Sequence, residues 1–114
     1  AGRGDDRIRG GTLRDQITGG SGDDGATSLG GRDILIGNTG NDKLNAGADD
    51  DLLSGNAGDD LLLGAAGADL LGGGPGMDRL FGGPGADQLI GGPAKDRLNG
   101  GPGNNTLVQD APKK

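Results

Sequence analysis

Gly73-Gly74-Pro75-Gly76-Met77-Asp78-Arg79-Leu80-Phe81 runs directly into Gly82-Gly83-Pro84-Gly85-Ala86-Asp87-Gln88-Leu89-Ile90. The two nonapeptides align at Gly-Gly-Pro-Gly, at Asp and at Leu, and the same frame extends along the chain. Aspartate holds the sixth place of eleven consecutive units: Asp6, Asp15, Asp24, Asp33, Asp42, Asp51, Asp60, Asp69, Asp78, Asp87 and Asp96. Asn105 holds that place in the twelfth. Two residues after each stands an aliphatic side chain, from Ile8 and Ile17 through Ala26 and Leu35 to Leu98 and Leu107. Twelve units in one register point to a solenoid whose units stack on their neighbours.

Each unit divides into a turn and a strand. Glycines at places 1, 2 and 4 permit positive φ and close backbone approach. The last three residues suit a short strand with the middle side chain inward and its neighbours outward. One unit is then half a coil, and two units, 18 residues, complete it. This predicts an all-β, right-handed parallel β-roll of about six 18-residue coils over residues 1–108. Odd units form one short parallel sheet and even units the other, facing across the Leu/Ile column. No helix is expected, because no stretch has a 3.6-residue period and glycine is too frequent. Residues 109–114 leave the repeat and read as an irregular polar tail. Both ends of the roll would expose strand edges for flanking domains or partner molecules to cover.

At 114 residues the chain is one domain. Its 29 Gly and 5 Pro would read as disorder without a period. All 17 acids are Asp, which suits a site inside a tight turn rather than a solvating surface. The net charge of −6 makes nucleic acid and anionic membrane surfaces poor partners. No run is long and apolar enough to span a membrane. No export signal is visible, and the chain starts at Ala1 with Met77 as its one methionine, so it reads as a module of something longer. With no His, Cys, Glu or Tyr, an enzyme is not expected. Pairs such as Asp23-Asp24 and Asp59-Asp60 recur with the repeat, so they read as a turn ligand beside a solvent-facing neighbour, not a catalytic carboxylate pair.

One aliphatic side chain per nine residues is little apolar burial to set against ordering a glycine-rich backbone. Stacking carboxylates at the inter-strand spacing of about 4.8 Å adds repulsion. A divalent cation between turns removes the repulsion and supplies binding energy, so folding should be coupled to metal binding. Carboxylates and many backbone carbonyls favour Ca²⁺ over Mg²⁺. Zinc and copper lack their preferred ligands here.

These residues resemble the RTX family, whose repeat is Gly-Gly-x-Gly-x-Asp-x-U-x with U a large aliphatic residue. The resemblance covers residues 1–108. It implies a calcium-loaded β-roll in which each ion sits between one turn and the turn one coil further on. The first turn gives the carbonyls of places 2 and 4 and its Asp; the second gives the carbonyls of places 1 and 3 and its Asp. Carried over, Asn38, Gly40 and Asp42 would meet Gly55, Ala57 and Asp60. Asn56, Gly58 and Asp60 would meet Gly73, Pro75 and Asp78. On the other side, Ala65, Gly67 and Asp69 would meet Gly82, Pro84 and Asp87, and Gly83, Gly85 and Asp87 would meet Gly100, Pro102 and Asn105. Twelve units allow at most 12 − 2 = 10 such sites. Departures at Leu13, Ser28-Leu29 and Asp49 fall on even turns, so the odd column should fill more completely in the N-terminal half, and the site at Asn105 should be weakest.

The resemblance further implies a secreted or cell-surface protein that stays unfolded where Ca²⁺ is scarce and folds outside the cell. The module would then serve stability, spacing and folding after export. An alternative is an assembly module of an adhesin, surface layer or filament. It would associate through the ends of the roll or through outward apolar residues of the even sheet: Ile34, Ile36, Leu52, Leu70, Ile90 and Val108.

Overall fold

The computed structural model describes residues 2–110; Ala1 and the last four positions of the expected tail lie outside the described residues. The strands in chain order are β1 (Gly2–Arg3), β2 (Arg7–Arg9), β3 (Gln16–Ser21), β4 (Gly25–Thr27), β5 (Ile34–Thr39), β6 (Lys43–Asn45) and β7 (Leu52–Ala57). They continue with β8 (Leu61–Leu63), β9 (Leu70–Gly72), β10 (Arg79–Phe81), β11 (Gln88–Pro93), β12 (Arg97–Asn99) and β13 (Thr106–Asp110). There is no helix among the described residues. The strands of odd units form a six-stranded sheet, β12-β10-β8-β6-β4-β2, and those of even units, with β1, a seven-stranded sheet, β1-β3-β5-β7-β9-β11-β13. All pairings are parallel, and partners lie 18 residues apart, as in Leu35↔Leu53, Leu53↔Leu71 and Leu71↔Leu89. The one shift of register is a bulge after Ile90, beyond which Pro93 faces Asp110. The expected β-roll of about six coils is the architecture found.

The core is a single layer. Leu44, Leu62 and Leu80 from one sheet and Leu35, Leu53, Leu71 and Leu89 from the other are wholly buried. The Cα envelope is only 14 Å thick, which leaves room for two facing sheets and the side chains between them. Ala26 keeps its place in this column, buried beside Leu44. Leu107, expected to point inward, is 49% exposed; it stands on β13, the edge strand of its sheet.

Three expectations need correction. The strands of the two sheets are unequal: β3, β5, β7 and β11 run for six residues, through places 1 to 3 of the following turn. Gln109 and Asp110 are not irregular, since both belong to β13. The outward apolar residues of the even sheet make two patches rather than one stripe. Ile34, Leu52 and Leu70 stand in register on adjacent strands, and Ile90 pairs with Val108, but Ser54 and Gly72 interrupt the row between Ile36 and Ile90.

The glycines separate by role. Places 2 and 4 take positive φ in nearly every turn, including at the non-glycine residues Asn38, Asn56, Ala65, Asp49 and Ala94. Place 1 does not, so its glycine is there for space. Place 4 combines both demands. At Gly58 φ is +121°, and a Cβ would lie 1.9 Å from the Gly40 carbonyl oxygen one coil away. Gly25 in β4 has ordinary φ, and its Cβ would meet nothing within 4 Å. Gly58→Val should therefore lower the melting temperature, with about 1–3 kcal/mol lost to backbone strain alone and more to the clash. Gly25→Val should leave stability unchanged or raise it, since a β-branched residue suits a strand. Equal melting temperatures for the two variants would contradict this assignment.

Candidate metal sites along the turns

The sixth-place aspartates lie at the start of each strand, where the turn brings the side chain back under its own loop. Asp24, Asp33, Asp42, Asp51, Asp60, Asp69, Asp78 and Asp87 are buried; Asp6, Asp15, Asp96 and Asn105, at the ends of the roll, are half-buried. From Asp24 to Asp96, and at Asn105, one side-chain oxygen of each accepts a backbone N–H from the preceding coil. The backbone N–H of Asp6 donates to Asp24 Oδ1, Asp24 to Asp42, Asp42 to Asp60, Asp60 to Asp78 and Asp78 to Asp96, all at 2.7–2.8 Å. The even turns repeat this from Asp15 through Asp33, Asp51, Asp69 and Asp87 to Asn105, again at 2.7–2.8 Å.

The second oxygen is different. Oδ2 of Asp24, Asp42, Asp51, Asp60, Asp69, Asp78 and Asp87 is buried and has no hydrogen-bond partner. Buried polar atoms are rarely left so, and a buried charge even more rarely. All but Asp51, whose turn opens on Ala46, have this oxygen over a glycine that opens their own turn. A Cβ on Gly37, Gly55, Gly73 or Gly82 would come within 2.3 Å of Oδ2 of Asp42, Asp60, Asp78 or Asp87. That is the space place 1 must leave.

Backbone oxygens complete the surroundings. The C-terminal end of the roll shows where they point, because there an amide nitrogen lies among them. Asn105 Nδ2, in the place of an aspartate Oδ2, donates to the carbonyls of Gly101 (2.8 Å) and Gly103 (3.4 Å), places 2 and 4 of its turn. From the other direction, the place 4 N–H groups of Gly40, Gly58, Gly67 and Gly85 donate to the carbonyls of Ala57, Pro75, Pro84 and Pro102 at 3.1–3.3 Å. Those carbonyls belong to place 3 one coil further on and keep a second lone pair. The structure thus brings together the two turns that the sequence pairs, including Asn38 and Asn56 in ladder register. Gly83 and Gly100 hold places 2 and 1 of the last even pair of turns, and Ala65 and Gly67 hold places 2 and 4 one coil earlier.

Two even turns depart from this pattern, where the sequence departs. The Ser28 hydroxyl donates to Asp33 Oδ2, and the Gly11 N–H donates to Asp15 Oδ2 at 2.7 Å. Both oxygens therefore have a protein donor. Elsewhere no cationic side chain compensates the columns: among the described residues the one ion pair, Arg32 with Asp50 at 3.8 Å, is on the surface. No three acidic side chains converge among the described residues either, so any ligand set must combine carboxylates with carbonyls.

A second ladder was not anticipated. The fifth-place side chains, read from sequence as solvent-facing, accept hydrogen bonds from the next coil. The Asp23 N–H donates to Asp5 Oδ1, Asn41 to Asp23, Asp59 to Asn41 and Met77 to Asp59, at 2.8–2.9 Å. It runs opposite in direction to the buried ladder and stitches the rim of the odd turns. The recurrence of Asp or Asn before the sixth place was the available signal.

Burial raises the carboxyl groups at the middle of both columns. Asp60 and Asp69 are pushed up to about 7, and Asp51 and Asp78 to about 6. Asp42 and Asp87 are also raised. Burial is the largest cause in each; the N–H bond from the preceding coil opposes it, and like charges in the same column add to it for Asp51, Asp60 and Asp69. A carboxyl raised in the folded state favours folding below its ordinary value near 3.8 and loses that contribution as pH rises through 6 to 7. Stripped of divalent ions, the chain should therefore gain β-structure on acidification from pH ~8 to ~4.5. Far-ultraviolet circular dichroism in chelator checks this; ion-free ellipticity that is flat, or falls on acidification, would refute it.

The residues fit a hard divalent cation: paired carboxylates, oxygens without donors, converging carbonyls and a space that a single Cβ would fill. No curated protein and no solved structure gives a match to the chain. One protein family does, the RTX calcium-binding nonapeptide repeat, at residues 1–35, 27–62, 36–71 and 72–107. Those spans cover nearly every coil of the roll, and the chain belongs to the family of RTX calcium-binding nonapeptide repeats.

Proposed function

We propose that this β-roll holds calcium ions in two files, one along each edge, and that their binding is what folds the chain. The observation that carries the reading is the set of seven buried Oδ2 atoms without a hydrogen-bond partner. Each marks a site between its own turn and the turn one coil further on. Asp42 and Asp60, with the carbonyls of Asn38, Gly40, Gly55 and Ala57, make one; Asp60 and Asp78, with those of Asn56, Gly58, Gly73 and Pro75, make the next. Asp69 and Asp87 act with Ala65, Gly67, Gly82 and Pro84, and Asp87 acts with Gly83, Gly85, Gly100, Pro102 and Asn105. An ion there cancels the mutual repulsion of the two carboxylates and satisfies oxygens that have no donor.

Seven strong sites are fewer than the ten that counting turns allows. Asp15 and Asp33 have protein donors on Oδ2, and Asp6 is only half-buried. Four of the seven fall on odd turns and three on even ones, with Asp24 the one in the first four units. This supports fuller loading of the odd file in the N-terminal half. The family places such repeats in exported proteins, and we read this chain as the calcium-dependent folding, stability and spacer module of one. The register of Ile34, Leu52 and Leu70 on adjacent strands supports a second reading, an assembly face.

The test of the first reading is a titration of the ion-free chain with Ca²⁺ and, separately, Mg²⁺. It is followed by circular dichroism, with the bound ions counted by equilibrium dialysis and the transition reversed by chelation.

A further inference from the structure

The odd file ends in a side chain that lies outside the repeat. Gln109 reaches back from β13 into the turn of the eleventh unit. Its Nε2 donates to the carbonyls of Gly92 (3.3 Å) and Ala94 (2.5 Å) and to Asp96 Oδ2 (3.1 Å). These are the oxygens of places 2, 4 and 6, the first-turn half of an ion site in the reading above. Its Oε1 accepts the Asp96 N–H at 3.1 Å, the bond that the next coil's aspartate accepts everywhere else in the file. One carboxamide thus does two tasks. Its oxygen replaces the missing carboxylate of a thirteenth unit, and its nitrogen puts partial positive charge where three oxygens converge. A thirteenth unit in register would carry Lys114 at place 6, so no carboxylate is there to complete a true site.

The even file ends the same way by other means. Asn105 Oδ1 accepts the Asp87 N–H, while Nδ2 turns onto the carbonyls of Gly101 and Gly103. Cradles in the middle of the roll have an oxygen with no donor, whereas the last cradle of each file has an amide N–H group in it.

We propose that Gln109 and Asn105 are built-in ion surrogates that terminate the two calcium files, so that the last coil closes without a half-coordinated ion. The proposal rests on the calcium reading. A carboxylate in place of Gln109 would make the eleventh turn demand a cation, and a methyl group would leave its oxygens without a donor.

The experiment uses the whole chain at saturating Ca²⁺. Ions are counted by native mass spectrometry, and amide hydrogen exchange is followed by nuclear magnetic resonance. Gln109→Glu should raise the count by one over the parent. Gln109→Ala should leave the count unchanged and speed exchange of the Asp96 amide by roughly tenfold, while the Asp60 amide is unaffected. An unchanged count in Gln109→Glu, or an unchanged Asp96 rate in Gln109→Ala, overturns the proposal. A parent chain that binds no calcium would instead overturn the calcium reading.

Discussion

Chelation of divalent ions at neutral pH should expand the chain from a radius of gyration of 12.9 Å to roughly 34 Å, the size of an unfolded chain of this length. Far-ultraviolet circular dichroism should change from strand to coil together with it, and Ca²⁺ should reverse both while Mg²⁺ at the same concentration does not. The imbalance is visible in the interior. The buried aliphatic side chains make one column, one residue per half-coil. Against it stand seven buried carboxylate oxygens without a donor and a backbone rich in glycine, the residue that loses most freedom on ordering. At neutral pH even the carboxyls raised to about 7 are partly ionised. A doubly charged ion with room for six or more oxygens suits the mixed carboxylate and carbonyl set; Mg²⁺ sheds its waters reluctantly and demands a stricter octahedron. An ion-free chain that keeps its compact radius and strand signal at neutral pH would refute the coupling of folding to binding.

The regular part of this architecture was legible because the repeat is rigid in number. A period of nine fixes where each side chain points, and any slip would move the leucines out of the core. Alternation of sheets between odd and even units, the inward column and the facing pairs of turns all follow from it. The sequence was less informative about roles within the turn. Glycine looks the same whether it supplies positive φ, as at Gly58, or space for a carboxylate, as at Gly55, and only the backbone tells them apart. Ser28 was legible as an irregularity, but not as a hydroxyl donor to Asp33. The fifth-place ladder was hidden because an exposed Asp next to a buried one looks like a solvated neighbour. Gln109 was hidden because it lies beyond the last unit, and its contacts depend on how β13 bends after the bulge. The repeat therefore announces itself wherever it is strict, and its terminations do not.

The largest effect of a single substitution is expected at Asp60, which belongs to two proposed sites. Asp60→Ala removes the partner of Asp42 in one and of Asp78 in the other, together with the acceptor for the Asp42 N–H. At a free concentration about a hundredfold above each dissociation constant, two lost ions correspond to about 5 kcal/mol of stability. The bound count should fall by two, with a large drop in melting temperature. Asp33→Ala is the matched comparison: it loses the same kind of ladder acceptance, that of the Asp15 N–H, but its Oδ2 already takes the Ser28 hydroxyl, so no strongly held ion should be lost. Asp60→Asn separates the two roles of the carboxylate. The amide oxygen can still accept the Asp42 N–H, and the amide nitrogen can turn to the carbonyls of Asn56 and Gly58, as Asn105 does to those of Gly101 and Gly103. That variant should lose at least one ion yet melt well above Asp60→Ala. If Asp60→Ala and Asp33→Ala lose equal stability with the parent's ion count intact, the sixth-place aspartates hold coils together by hydrogen bonds alone, and the ion files are not what folds the roll.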